Sequence, residues 1–230
     1  MNRFFSWCCK IFLAPLVKWL FIKEVKGKEN IPSPLHQKSW RGGKGNFILV
    51  SNHQSYLDII FDAYLCVPRK FHFIGQIEGF KPPLKWFIAA VYFLSGVIPL
   101  NRKDDYSREK VVDLAIKVLK KGDVLVIYPE GRRSVNGEIQ EGKWGVARIF
   151  LKTGVPILPA GIKGAFELLP PHGKLKIKRI VKVNIGQPLF FKEELSEVGS
   201  LDEDSLRYRE TVQRITKKMM TEISNLCQTI

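Results

Sequence analysis

The sequence is poor in the residues that build metal sites and disulfide frameworks. It contains four cysteines, and none of them has the spacing of a metal-ligand motif. Cys8 and Cys9 are adjacent in an apolar segment, an arrangement that is unfavourable for a disulfide and favours a reducing compartment. The chain also lacks internal repeats, low-complexity segments and an obvious interdomain linker. These absences predict one globular domain.

Acidic residues are scarce relative to basic ones. The chain has 37 Lys and Arg against 22 Asp and Glu, a formal net charge of +15. This balance indicates a polyanionic partner: nucleic acid, an anionic membrane surface, a phosphorylated small molecule or an acidic carrier protein. One predicted strand is especially basic, with Lys174, Lys176, Lys178, Arg179 and Lys182. A nucleic-acid-binding module is therefore an alternative, although no recognised nucleic-acid-binding motif accompanies the charge.

The chain has no long apolar run without charges. Residues 2–22 are the most apolar part, but Arg3, Lys10 and Lys18 interrupt them and Pro15 is expected to kink or break a helix there. On a helical wheel Lys18 lies about 80° from Lys10, which leaves a broad apolar side. A lysine near a bilayer centre costs roughly 2.5–3.5 kcal/mol. We therefore predict that residues 1–24 associate with a membrane interface, with a terminal helix packed on the core and a spanning helix as alternatives.

Apolar strands alternate with amphipathic helices along the rest of the chain. The predicted strands are 25–31, 47–50, 71–75, 96–100, 124–128, 156–162 and 175–185. The predicted helices run from about 55 to 66, 83–94, 107–121, 143–152 and 205–226, the last with Leu206, Val212, Ile215, Met219, Ile223 and Leu226 inward. This alternation predicts a single α/β domain over residues 25–230, with a mostly parallel or mixed central sheet flanked by helices.

Polar side chains follow the first buried strand at its carboxyl end. His53 comes directly after this strand, and Asp58 follows five positions later. The two can meet only if His53 lies in the turn and Asp58 in the first turn of the next helix, because five helical steps place residues on different faces. Such a pair suits a general base whose tautomer is fixed by a carboxylate. A capping histidine beside a helix-start aspartate is the alternative.

Two further strands also end in charged residues. Arg102 follows the strand at 96–100, and Glu130, Arg132 and Arg133 follow the strand at 124–128. Because neighbouring strand ends on one side of a sheet converge, the base and several guanidinium groups are expected to share a pocket. Arginine matches the geometry of phosphate. The spacing therefore favours activation of a hydroxyl group on a phosphorylated substrate.

Four short blocks of the sequence resemble the glycerolipid acyltransferases, of the bacterial 1-acylglycerol-3-phosphate (lysophosphatidate) acyltransferase type. Residues 52–58, NHQSYLD, are similar to the block N-H-x-x-x-x-D of that family. Residues 96–102, GVIPLNR, resemble G-x-I-x-x-D-R, residues 128–134, YPEGRRS, resemble F-P-E-G-T-R-S, and residues 155–159, VPILP, resemble V-P-I-x-P. All four occur in the order of the family.

The resemblance implies transfer of an acyl group from an acyl carrier protein or coenzyme A thioester to the free hydroxyl of lysophosphatidate, which forms phosphatidate. It implies that His53 is the general base and Asp58 its partner. The residues expected to bind the acceptor are Arg102, Glu130, Gly131, Arg132, Arg133 and Lys143. No metal and no further cofactor are expected, nor is nucleic acid as a partner, and the implied location is the cytoplasmic face of the bacterial inner membrane.

The sequence departs from the family pattern at positions that bear on the acceptor. Arg132 stands where the family has threonine, Asn101 where it has aspartate, and residues 76–79, QIEG, where many members have K-x-E-L. The same chemistry on another lysophospholipid or on glycerol-3-phosphate is therefore an alternative.

Overall fold

A computed structural model describes residues 3–32, 45–76, 96–101, 105–199 and 202–230 of the chain. The helices within these ranges are α1 (Arg3–Cys8), α2 (Ala14–Leu20), α3 (Asp58–Cys66), α4 (Asp105–Lys120), α5 (Gly145–Thr153), α6 (Ala165–Leu168), α7 (Lys192–Val198) and α8 (Leu206–Gln228). The strands are β1 (Ile22–Lys26), β2 (Ile48–Ser51), β3 (Phe71–Gln76), β4 (Ile98–Leu100), β5 (Val124–Ile127), β6 (Ile157–Lys163) and β7 (Val181–Ile185). A π-helical turn (Cys9–Leu13) joins α1 to α2, and a short 3-10 helix (Lys28–Asn30) follows β1.

The seven strands of the described residues form one sheet in the order β1-β7-β6-β2-β5-β3-β4. All neighbouring pairs are parallel except β6 and β7, which are antiparallel. Strands β2 to β6 therefore run in one direction, and β1 and β7 run in the other. This arrangement confirms the predicted single α/β domain with a mostly parallel sheet.

Helices cover both faces of the sheet. Leu49 of β2 packs on one face with Phe61 of α3, while Ile48 and Val50 pack on the other face with Ile215 of α8. All three β2 side chains are fully buried. A strand that is covered on both sides has to be apolar at consecutive positions, which explains the continuous apolar runs that the sequence shows at β2 and β5.

The sheet edge at which β2, β5 and β6 end is called the carboxyl edge below. β2 and β5 are adjacent in the sheet, with Val50 opposite Ile127. The loops that follow these two strands begin at Asn52 and Tyr128, so they leave the sheet side by side. The sequence prediction that these two strand ends converge is confirmed.

Two strand predictions were wrong in part. Residues 175–180 do not form a strand although lysine alternates there with apolar residues, because β6 ends at Lys163 and leaves no neighbour for them to pair with. The first strand lies at Ile22–Lys26 rather than at 25–31. It stops before Gly27, whose backbone has φ +71° and whose Cα lies so near the Ile185 carbonyl that a Cβ would be 1.9 Å from that oxygen.

Two details of the helices also differ from the prediction. Helix α3 begins at Asp58 rather than near Ser55. Leu206 is the first residue of α8 and is 73% exposed, whereas the other five apolar residues predicted to face inward are buried. The predicted helix at 83–94 lies outside the described residues.

The amino-terminal segment forms a helical rod from α1 through the π turn to α2. Pro15 lies in the first turn of α2, two residues after the π turn ends at Leu13. Ser6 and Val17 are buried against the domain, while the rest of the rod is largely open. Among the described residues, none of the helices combines the length and the apolar character that a membrane crossing requires.

Candidate active site

His53 and Asp58 are in direct contact at the carboxyl edge. Nδ1 of His53 lies 2.9 Å from Oδ2 of Asp58. His53 lies in the turn after β2, and Asp58 is the first residue of α3, which is the arrangement that the sequence spacing required. The turn is held by the same carboxylate oxygen, because the backbone N–H groups of Gln54 and Ser55 each donate to Oδ2 at 2.7 Å.

These contacts fix how the imidazole of His53 is protonated. Oδ2 of Asp58 already accepts two backbone N–H groups, so Nδ1–H of the imidazole acts as the third donor to it. Nε2 then carries a lone pair, and it has no hydrogen-bond partner within the described part of the chain. The His53 side chain is 13% exposed and that of Asp58 1%. A shielded imidazole with one accessible basic nitrogen can accept a proton from a bound hydroxyl.

Tyr128, the residue after β5, stacks on the imidazole of His53. The two rings are parallel within 8°, and their centroids are 3.8 Å apart. Burial and, next, the nearby Asp62 carboxyl raise the pKa of Tyr128 well above its usual value. The neutral ring of Tyr128 therefore limits rotation of the His53 imidazole.

A second buried carboxyl group lies near the Tyr128 ring. Asp62 is fully buried on α3, one helical turn after Asp58, and accepts a hydrogen bond of 2.8 Å from the Ser51 hydroxyl. Burial raises the pKa of Asp62 to about 7, although the bond from Ser51 works in the opposite direction. Sequence reasoning missed Asp62. The available signal was its spacing of four from Asp58, which places both on the same helical face.

Glu130 ties the loop after β5 to the loop after β2. Its Oε1 accepts the backbone N–H of His53 at 2.7 Å, and its Oε2 accepts the backbone N–H of Gln140 at 2.9 Å. The carbonyl of His53 in turn accepts the N–H of Ser134 at 2.8 Å. Burial raises the pKa of Glu130 to about 7, against the lowering effect of these backbone bonds. The peptide groups on both sides of His53 are thus fixed by the neighbouring loop.

The loop after β5 also carries cations. The guanidinium of Arg133 lies over the ring of Tyr56, 3.9 Å from its centroid, and its Nε is buried without a partner among the described residues. Arg132 points to solvent and donates from Nε to Gln140 at 2.7 Å. The exposed Lys143 runs along Gly131, whose backbone has φ +70° and whose Cβ, if present, would lie 3.1 Å from the lysine stem. Glycine there leaves room for this lysine.

Arg102, the remaining predicted residue, lies outside the described residues. The strand that precedes it, β4, is at the end of the sheet and two strands away from β5. At a strand spacing of about 4.8 Å, the carboxyl end of β4 is roughly 10 Å from that of β5. The structure therefore brings His53, Asp58 and Glu130 into contact, while Arg132, Arg133 and Lys143 lie in or beside the loop after β5 without a contact to His53. No three His, Cys, Asp or Glu side chains of the described ranges gather as metal ligands would.

A comparison with protein families gives these residues a context. The profile of the acyltransferase family matches residues 23–163, which include β2 to β6, all of β1 except its first residue, and every site residue named above. The chain belongs to the acyltransferase family. The match covers more than half of the chain.

Curated acyltransferases are similar to this acyltransferase over most of its length. A chloroplastic 1-acyl-sn-glycerol-3-phosphate acyltransferase of Brassica napus is 29% identical over 184 residues, which are 76% of this chain and 49% of that protein. A 1-acyl-sn-glycerol-3-phosphate acyltransferase of Borreliella burgdorferi is 33% identical over 136 residues, which are 59% of this chain and 48% of that protein. This acyltransferase therefore spans about half the length of these relatives.

A solved structure shares the fold of this acyltransferase. The crystal structure of the 1-acyl-sn-glycerophosphate (LPA) acyltransferase PlsC from Thermotoga maritima is similar with a TM-score of 0.63 and 28% sequence identity. The match covers 95% of this chain and 79% of that chain.

Proposed function

We propose that this acyltransferase moves a fatty acyl group from a thioester of acyl carrier protein or coenzyme A to the free hydroxyl of lysophosphatidate, and so forms phosphatidate. The contact between His53 and Asp58 at the carboxyl edge is the observation that carries this proposal. The names of the curated relatives and of the solved neighbour support the choice of lysophosphatidate as the acceptor.

In the proposed mechanism Nε2 of His53 takes the proton of the acceptor hydroxyl. The oxygen then attacks the thioester carbonyl carbon, a C–O bond forms, and the C–S bond breaks. The thiolate leaves and receives the proton from the imidazolium of His53, so the base is restored. Asp58 stabilises that imidazolium through Nδ1. A positioned base of this kind contributes about 10²–10⁴-fold to a rate.

The cations of the β5 loop are proposed to bind the phosphate of the acceptor. Arg133 has a buried Nε that lacks a partner among the described residues, and an arginine fork suits a phosphate oxygen pair. Arg132 and Lys143 lie in the same loop region and add positive charge. Arg102 is proposed to bind the acceptor as well, which is the role that the family resemblance implies.

Two exposed surfaces support the proposed partners. The segment at 174–179 joins β6 to β7 at the carboxyl edge, and its lysines are exposed, which suits an acidic carrier protein or coenzyme A. The amino-terminal rod exposes Phe12 and Trp19 at 73% and 70%, which suits an interfacial position in a membrane. We place the enzyme at the cytoplasmic face of the inner membrane of a bacterium.

Replacement of His53 by Ala tests the assignment of the base. We expect acyl transfer to lysophosphatidate in detergent micelles to fall by about 10²-fold or more, because no other basic nitrogen replaces Nε2. The measurement is the initial rate of phosphatidate formation from an acyl-coenzyme A or acyl carrier protein donor. Unchanged turnover in His53→Ala would sink the proposed mechanism.

His72 provides a matched control, because it also pairs with an aspartate. Its Nε2 lies 3.2 Å from Asp123 and its Nδ1 lies 2.7 Å from the carbonyl of Gly96, so both ring nitrogens are engaged. It sits at the start of β3, away from the carboxyl edge. We expect His72→Gln to keep the turnover of the unaltered chain.

A further inference from the structure

A cavity lies between the amino-terminal rod and the rest of the domain. It encloses about 550 Å³ and is bounded by the rod, by the carboxyl end of α3 with the turn that follows it, and by the segment after β1. Its polar lining residues include Lys10, Lys18, Lys28, Tyr64 and Arg69. None of the residues described above around His53 lines this cavity.

The fold separates this cavity from the active site. Helix α3 starts with Asp58 at the carboxyl edge and runs nine residues to Cys66 beside the cavity, a length of about 13 Å. β1 ends and β3 begins at the opposite sheet edge, which is where the cavity lies. A phosphate bound there is too far from His53 to belong to an acceptor whose hydroxyl is being activated.

The cations of the cavity have aromatic but no acidic neighbours among the described residues, since Lys10, Lys28 and Arg69 lie over aromatic rings. None of its four cations forms an ion pair with any of the described residues, and no carboxylate of those residues lines the cavity. Nζ of Lys28 donates to the hydroxyl of Tyr64 at 3.2 Å, which holds it at the rim. Nη2 of Arg69 is buried without a partner in the described part of the chain. A buried N–H group without an acceptor is costly, and an anion in the cavity would relieve that cost for Nη2.

The π turn in the rod brings two of these cations together. In a regular α-helix Lys10 and Lys18 would lie about 80° apart around the axis. A π turn holds more residues per turn than an α-helix, and the turn at Cys9–Leu13 lies between the two lysines. It reduces their angular separation, so that both side chains reach the cavity.

The same rod carries an exposed apolar surface, made of residues that do not line the cavity. We call it the apolar ridge; it consists of Ile11, Phe12, Leu13, Leu16 and Trp19, each about half exposed or more. A phosphate site beside such a ridge matches the two parts of a phospholipid, a charged headgroup and acyl chains. A soluble phosphate compound would use the cations but not the ridge.

We propose that this cavity binds the headgroup of an anionic phospholipid of the membrane surface, with the acyl chains of that lipid along the apolar ridge. The proposal rests on the proposed action of the enzyme at a membrane. The bound lipid would be neither the acceptor nor the product of the reaction. It would be a component of the membrane that the enzyme holds outside its active site.

The test compares charge removal inside the cavity with charge removal elsewhere. Lys18→Gln and Arg69→Gln are to be compared with Lys217→Gln and Arg207→Gln, which remove exposed cations from α8. The readout is co-sedimentation with phosphatidylcholine vesicles that contain phosphatidylglycerol or lack it. We expect each cavity variant to lose about fivefold in binding to the anionic vesicles, with unchanged binding to neutral vesicles, and each control to lose less.

A soluble probe separates a specific site from general attraction to a surface. Dihexanoyl-phosphatidylglycerol below its micelle concentration is expected to bind the unaltered chain and not Lys18→Gln or Arg69→Gln, as followed by the fluorescence of Trp7 and Trp19. Equal loss in cavity and control variants would overturn the proposal. Displacement of the probe by inorganic phosphate or by coenzyme A at equal concentration would also overturn it, because the cavity would then be a soluble phosphate site.

An assay of acyl transfer in detergent micelles distinguishes failure of the lipid-site proposal from failure of the proposed acyl transfer. We expect Lys18→Gln, which changes an exposed side chain, to keep its turnover there and its thermal unfolding midpoint. If the unaltered chain shows no acyl transfer but the cavity variants still lose lipid binding, the proposed reaction fails and the lipid site stands.

Discussion

At the scale of single residues, two buried carboxyl groups one helical turn apart have different surroundings. Oδ2 of Asp58 contacts the imidazole of His53 and two backbone N–H groups. Asp62 has the hydroxyl of Ser51, and its other oxygen is buried without a partner among the described residues. Since N–H donors favour the charged form of a carboxyl and burial disfavours it, burial is the stronger effect at Asp62, whose pKa it raises to about 7.

Replacement of Asp62 by Asn should change how stability depends on pH. The pKa of Asp62 is about 7 in the folded chain against 3.8 for the free group, so the folded state holds a proton that the unfolded state has lost. Its contribution to stability is full below about pH 4, declines as the pH rises to about 7, and is flat above that. Asp62→Asn cannot ionise, and we expect its free energy of unfolding relative to the unaltered chain to rise by a few kcal/mol, on the order of 2–4, between pH 4.5 and pH 8.

Denaturant unfolding at the two pH values provides the measurement. Asp113→Asn, which changes an exposed aspartate of α4, is the control, and its free energy of unfolding relative to the unaltered chain should be the same at both pH values. Glu130 remains in the variant, and its pKa of about 7 acts in the same direction, so part of the pH dependence should persist. A variant that follows the unaltered chain at both pH values would contradict a protonated Asp62.

At the scale of elements, the base depends on two loops that the sheet places side by side. The loop after β2 carries His53, and the loop after β5 holds the peptide groups on either side of it through Glu130 and Ser134. The position of the imidazole is therefore a joint property of both loops. Preorganisation of this kind lowers the cost of reaching the reactive geometry.

Glu130→Gln should disturb both stability and turnover. The carboxylate of Glu130 accepts one backbone N–H on each oxygen, whereas an amide has one oxygen and an NH₂ group that would face an N–H donor. Leaving a buried donor without an acceptor costs about 1–3 kcal/mol. We expect a lower free energy of unfolding by that amount and a lower kcat, because the peptide of His53 shifts.

The exposed Glu138 in the same loop offers a control. It accepts from Asn136 at 2.7 Å, a bond that the amide oxygen of Glu138→Gln can keep, so stability and kcat should stay unchanged. Steady-state kinetics separate two roles for Glu130. A rise in KM for lysophosphatidate with kcat unchanged would show that Glu130 acts on the acceptor and not on the base.

The sequence was sufficient to predict those parts of the fold and site that depend on local patterns. The buried strands β2 and β5 are continuous apolar runs, and the polar residues directly after them had to lie at the carboxyl edge. The pairing of His53 with Asp58 followed from the spacing and the turn. The helix α8 was also predicted, and its cap is formed by Ser205, whose Oγ accepts the N–H of Tyr208.

Features that depend on which elements are neighbours could not be predicted. The alternation at 175–180 has the period of a strand, but Leu175 and Ile177 are exposed because no strand lies beside them. The burial of Asp62 depends on the packing of α3 against the sheet, and the lipid cavity depends on how the rod lies beside α3. In each case the sequence pattern is compatible with more than one set of neighbours.

At the scale of the whole molecule, the charge and the apolar ridge act over different distances. The net charge of +15 produces a field that attracts an anionic surface from afar, while the ridge acts only on contact. Salt weakens the first, because the screening length falls from about 10 Å at 0.1 M to about 3 Å at 1 M. Salt does not weaken the contribution that burial of the apolar ridge makes to binding.

Binding to vesicles should therefore show two components as salt is raised. We expect binding to phosphatidylglycerol-containing vesicles to fall steeply between 0.1 M and 1 M NaCl and to level off at the value for neutral phosphatidylcholine vesicles. Co-sedimentation over a salt series gives both components. Binding that does not respond to salt would show that the charge has no part in it, and complete loss at high salt would exclude a contribution of the ridge.

The short connection between the amino-terminal rod and the sheet has a mechanical consequence. Only Phe21 separates the end of α2 from the start of β1, and its N–H bonds to the carbonyl of Val17 while its carbonyl accepts the N–H of Val181 in β7. A connection of one residue that is hydrogen-bonded on both sides does not let the rod rotate relative to the sheet. Whatever surface holds the rod thereby also sets the tilt of the sheet, and with it the direction in which the carboxyl edge faces.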